Sequence, residues 1–84
     1  MRGFLRMRLP ADEDYAMGLL TIFSARALRP GQSLRASEVS GEFCRLNLGR
    51  PDDYEAAVDY SLFRGWLRRE FGRLRLTGGG FEEM

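Results

Sequence analysis

One thiol, Cys44, is the only nucleophile of its kind in this 84-residue chain, which has no histidine, no lysine, thirteen arginines and twelve carboxylates. A cysteine nucleophile needs a base or a cationic neighbour to generate its thiolate. Cys44 has only Arg45 beside it, and lies next to Phe43 on a stretch that must pack, so it reads as a small buried hydrophobe. Without histidine the commonest general base and metal ligand is missing. The paired carboxylates Asp52 and Asp53 fit the start of a helix better than a cation site. The Gly78–Gly80 triplet is not followed by the helix, Lys and Ser/Thr of a phosphate loop. The inventory therefore predicts no catalytic residue, no metal and no cofactor, and a protein that is not an enzyme.

The cations carry more information. Every one is arginine, a planar and permanently charged fork suited to phosphates, carboxylates and aromatic faces. The net charge is only +1 and the isoelectric point about 7.9, whereas a free-standing nucleic-acid binder usually exceeds about 9. Any polyanion surface must come from local segregation, and the sequence has it. Residues 51–60 carry a net −4, and residues 61–77 a net +4.

The elements that must position these groups follow from periodicity. A length of 84 residues predicts one domain with one small core. Residues 3–9 alternate, with Leu5, Met7 and Leu9 separated by arginines, and predict a strand ended by Pro10. A first helix is expected from an Asp12 N-cap, with Tyr15, Leu19, Phe23 and Ala27 on its apolar stripe, Arg26 and Arg29 near its end, and Pro30–Gly31 as the stop. Val39, Phe43 and Leu46 predict a second helix over 36–46, with Leu34 before it as a strand fragment. Asp52 with Glu55 three residues on predicts a capped third helix that ends at Arg64, before Gly65. Trp66–Glu70 and Arg73–Thr77 predict a hairpin turning at Phe71–Gly72, with Gly72 supplying positive φ and Trp66 filling the core. The chain then divides into an N-terminal strand or arm over 1–11, a domain over 12–77 and a loose tail over 78–84.

Three helices followed by Arg64-Gly65-Trp66-Leu67, then Leu74-Arg75-Leu76-Thr77 and Gly80, resemble a winged helix-turn-helix domain over roughly residues 12–80. In that superfamily an apolar-Gly-apolar element closes the third helix, and the hairpin is the wing. The resemblance implies an α+β fold, a winged-helix-like three-helix core with a C-terminal β-hairpin. It also implies double-stranded DNA as a partner, with the third helix in the major groove and the wing on the backbone.

Two functional readings stand. In the first, Arg64, Arg68, Arg69, Arg73 and Arg75 contact DNA from the wing and the end of the third helix, in a small protein of transcription regulation. Asp52, Asp53, Glu55 and Asp59 oppose that reading at the groove-facing start of the helix. In the second, Tyr60 and Phe63, i, i+3 neighbours on the outer face of the third helix, form an aromatic patch for a protein partner or homodimer. MRGFLRMRLP lacks the apolar core of a secretory signal, and no run approaches 18 apolar residues. A cytoplasmic protein without a membrane partner is the expectation.

Overall fold

The computed structural model describes residues 11–84, so the strand expected over 3–9 lies outside the described residues. The fold is α+β, with a winged-helix-like layout. The order is α1 (Asp12–Ala25), β1 (Ser33–Arg35), α2 (Ala36–Arg45), α3 (Pro51–Phe63), β2 (Leu67–Glu70), β3 (Arg73–Leu76) and α4 (Gly78–Glu83). The three strands form one antiparallel sheet in the order β1-β3-β2.

The first three helices end alike. In each, the residue after the C-cap adopts a left-handed φ: Ala27 at 55°, Asn47 at 58° and Gly65 at 75°. The following N–H reaches back to close the helix, Leu28 to Phe23 O (3.1 Å), Leu48 to Phe43 O (3.1 Å) and Trp66 to Ser61 O (2.8 Å). This is the paired-bond Schellman closure, which turns the next apolar residue back onto its own helix. Leu28 and Trp66 enter the core in this way, while half-buried Leu48 packs against it. The first helix therefore stops at Ala25, short of Pro30–Gly31, and exposed Ala27 leaves the predicted stripe.

The helix starts also differ from expectation. Ala11 and Arg50, neither with a capping side chain, occupy the N-cap positions of α1 and α3. Asp14 and Asp53, each at the third helical position, accept from those N–H groups at 2.9 Å. Pro51 takes the first position of α3, where its missing N–H costs nothing.

The core joins all layers. Phe23 of α1 and Phe43 of α2 are fully buried with Val58 of α3 and Leu74 and Leu76 of β3. Phe43 meets Tyr54 edge-on with centroids 5.8 Å apart, and the Tyr54 hydroxyl donates to Ala36 O at 3.2 Å. Trp66 is buried, as its expected core role requires. Cys44 is only half-buried, where a small buried hydrophobe is expected. The tail is also a correction, because Gly78–Glu83 forms α4. Thr77 Oγ1 caps it by accepting from Gly80 N at 3.0 Å, and donates toward Gly65 O (2.6 Å) and Trp66 O (2.9 Å).

Candidate functional site

The sheet register sorts the arginines. Leu67, Leu74 and Leu76 turn inward and are buried, so their alternates Arg68, Glu70, Arg73 and Arg75 turn outward. Strand β1 adds Ser33 opposite Arg75 and Arg35 opposite Arg73. On β2, Arg68 lies opposite Arg75 and Glu70 opposite Arg73. The outer face thus holds four guanidiniums against one carboxylate, including two arginine pairs directly across strands, Arg68/Arg75 and Arg35/Arg73. Directly opposed like charges each destabilise a sheet by about 0.2–1 kcal/mol.

Some of these groups have partners within the chain. Arg75 Nε pairs with Glu70 Oε1 at 2.9 Å, and its Nη1 donates to Gly31 O. Arg73 donates to Ser33 Oγ at 2.8 Å and to Ser33 O at 3.2 Å. Arg35 and Arg68 are exposed and make no side-chain hydrogen bond or ion pair with the described residues. The wing is therefore half neutralised near Arg75 and open at Arg68 and Arg35.

Two predicted arginines stand elsewhere. Arg69 is opposite Leu74, on the core-side face of the hairpin, so Arg68 and Arg69 do not share a surface. Its charge bears on Tyr54: burial pushes that phenol above its ordinary value, and Arg69 pulls partly the other way. Arg64 is held at the end of α3, its guanidinium carbon 5.0 Å from the Trp66 ring centroid and 5.7 Å from that of Tyr60. Its Nη1 donates to the Tyr60 hydroxyl at 2.9 Å, which raises the Arg64 pKa.

A second surface runs along α3. Asp52, Glu55, Asp59 and Phe63 are its exposed stripe, spaced by three and four residues. Asp53 is spent on the helix start. Tyr60 is half-buried, edge-on to Trp66 with centroids 5.7 Å apart, whereas Phe63 is 83% exposed. The two aromatics expected as one patch are thus divided: Tyr60 supports Trp66 and Arg64, and Phe63 projects beside carboxylates.

The tip of the hairpin falls at Phe71–Gly72, as the spacing predicts, but Phe71 itself takes an unexpected conformation. Phe71 is fully exposed and takes a φ of 48°, followed by Gly72 at 75°. Two successive positive φ values are those of a type I′ hairpin turn, which normally favours Asn or Gly at the first position. An aromatic there is strained and gains nothing from burial.

Among the described residues no group of three or more His, Cys, Asp or Glu is placed to hold a metal ion. No described helix is long and apolar enough to cross a membrane. No family model, no curated protein and no solved structure matches the chain.

Proposed function

We propose that this chain is a small DNA-binding protein that meets the phosphate backbone through the outer face of its sheet, in the manner expected of a transcription regulator, and not through the third helix. The observation that carries this reading is the doubled arginine pairing, Arg68/Arg75 and Arg35/Arg73, on one exposed face. Each pair costs stability in the free protein and is relieved when an anion lies between the guanidiniums. A duplex supplies phosphates in a row, and arginine forks engage them bidentately. The exposed carboxylates of α3 would be repelled at the major groove, so the sheet docks by itself and reads shape more than base sequence.

The experiment is fluorescence anisotropy of a labelled duplex across a salt series. With about three phosphates neutralised, log K falls with log salt at a slope of roughly −2.7. Arg68→Ala and Arg73→Ala each flatten that slope by about 0.9. Arg64→Ala leaves it unchanged, because Arg64 stands on Tyr60 and Trp66 at the end of α3. Absence of binding at low salt refutes the reading.

One observation favours a second reading, a protein-interaction module without DNA binding. Phe63 is almost wholly exposed on a helix face otherwise made of carboxylates. An isolated aromatic beside charge that a partner can match is the composition of an interface anchor.

A further inference from the structure

A groove of about 640 Å³ opens to solvent beside the end of α3. Leu62 and Gly65 give its accessible apolar part, over the buried edges of Leu67 and Leu76, and Arg68 and Arg75 line its rim. Phe63 adjoins this groove in the chain but does not fill it, being 83% exposed. One helical turn before Phe63, about 6 Å along the axis, the exposed carboxylate of Asp59 shares its stripe. Arg68 has no carboxylate partner among the described residues.

We propose that a second copy of this chain fills the groove, each copy inserting Phe63 into the other and setting Asp59 against Arg68 of the partner subunit. The inference rests on the Phe63 interaction surface of the second reading above, not on its exclusion of DNA, and names the partner of that surface. Three observations select a second copy over another protein. The knob is aromatic, and the groove beside it offers apolar surface at Leu62 and Gly65. The knob is preceded by a carboxylate, and the groove is lined by a guanidinium, Arg68, with no ion pair among the described residues. Knob and groove belong to the same helix terminus, Phe63 beside Leu62 and Gly65, so one patch contains both halves of the contact. A surface complementary to itself closes under two-fold symmetry and stops at a dimer.

The geometry also handles the remaining charge. Contact at the C-terminal ends of the two α3 helices keeps Asp52 and Glu55, at their N-terminal ends, apart. Arg35 and Arg73 lie toward the hairpin turn, away from the Arg68/Arg75 end of the sheet. They stay open to phosphate when the dimer forms.

The test is sedimentation equilibrium of the full chain over about 1–500 µM, a range suited to a small interface. The expected result is a monomer–dimer equilibrium. Phe63→Ser weakens it at least about 30-fold, as loss of a central anchor does. Asp59→Arg alone and Arg68→Asp alone each weaken it, and the double exchange Asp59→Arg/Arg68→Asp restores it. Circular dichroism melting confirms that each variant is folded, which is expected because all three side chains are exposed. A chain that stays monomeric overturns the proposal, as does a dimer indifferent to Phe63→Ser or not restored by the double exchange. A monomer that captures a different protein through Phe63 overturns self-pairing but keeps the second reading. A monomer with no Phe63-dependent capture removes both.

Discussion

Gly78 and Gly80, two residues apart, should respond differently to the same substitution. A Cβ on Gly80 would lie 2.2 Å from Trp66 O and 3.0 Å from both Trp66 C and Leu76 Cδ1. The first contact is with backbone that is itself fixed, because Trp66 O accepts from Thr77 N at 3.1 Å and from Thr77 Oγ1 at 2.9 Å. Relief requires α4 to move by about 1 Å, which strains the cap that Thr77 Oγ1 makes to Gly80 N. Losing a cap costs about 1 kcal/mol, and overpacking against a rigid neighbour about 1–3 kcal/mol. The helix propensity gained by replacing glycine returns up to about 1 kcal/mol. Gly80→Ala should therefore destabilise by about 1–3 kcal/mol net, lowering Tm by roughly 4–24 °C at 4–8 °C per kcal/mol. A Cβ on Gly78 meets nothing within 4 Å, and one on Gly79 meets only ordinary contacts at 3.6 and 3.7 Å. Gly78→Ala should be neutral or stabilising by up to about 1 kcal/mol. Urea unfolding of the two single variants decides the matter, with m-values compared to confirm that the unfolding reaction is the same. Equal effects at positions 78 and 80, or a Gly80→Ala protein as stable as the parent, would refute the packing of α4 against Trp66.

Other predictions test the interior and the sheet. Ser61 is fully buried in α3 and its Oγ has no hydrogen-bond partner among the described residues, so Ser61→Ala, which removes that hydroxyl, should raise stability by about 1 kcal/mol in urea titration. Burial raises the Tyr54 pKa above 10.0, with Arg69 opposing and Glu55 adding to the rise. The unfolded chain then loses that proton first, so this part of the stability is intact below about pH 10 and falls as pH rises toward the folded value. Tyr54→Phe should flatten that alkaline decline in pH-dependent melting. Arg35→Glu converts the like-charged pair with Arg73 into an opposite-charged one. It should add about 0.5–1 kcal/mol while weakening duplex binding in the anisotropy assay.

Local chemistry made the elements legible in the sequence, and long-range pairing hid the surfaces. Gly65 marked the end of α3, and Leu74 and Leu76 alternating with arginines marked β3. Arg35 was not recognised as part of the basic face because it joins Arg73 across 38 residues, through a three-residue strand with no periodic signal. Arg68 and Arg69 read as one basic run, but adjacent strand residues face opposite ways, and only the register says which is outward. Three consecutive glycines read as a loose tail on propensity. Their helix is held by the Thr77 cap and by the close approach of Gly80 to Trp66, both tertiary in origin. Phe71 is legible as a turn residue, but its oddity, an aromatic that shares the positive φ expected of Gly72 alone, lies in the backbone conformation. The same geometry gives physical meaning to the Leu-x-Leu-Thr-x-x-Gly spacing: the leucines fill the core, the threonine caps, and only glycine fits against the Trp66 carbonyl.

The near-zero net charge conceals two surfaces of opposite sign. Asp52, Glu55 and Asp59 hold one, and Arg35, Arg68, Arg73 and Arg75 the other, opposed by Glu70. Solubility alone is met by interspersed charge, which avoids the repulsion of Arg68/Arg75 and Arg35/Arg73. Segregation has a cost in the isolated chain, offset in part by the Arg75–Glu70 pair and the Arg73–Ser33 bonds; an anion from outside would offset more of it. The basic face has two ends with different neighbours: an apolar groove beside Arg68 and Arg75, and open solvent around Arg35 near the exposed hairpin tip. A carboxylate next to an aromatic matches the first end, and a row of phosphates matches the second. Pairing of two copies through the groove would leave two Arg35/Arg73 ends open at once. Bivalency of that kind raises avidity for a long polyanion without any new contact, provided both ends reach it together.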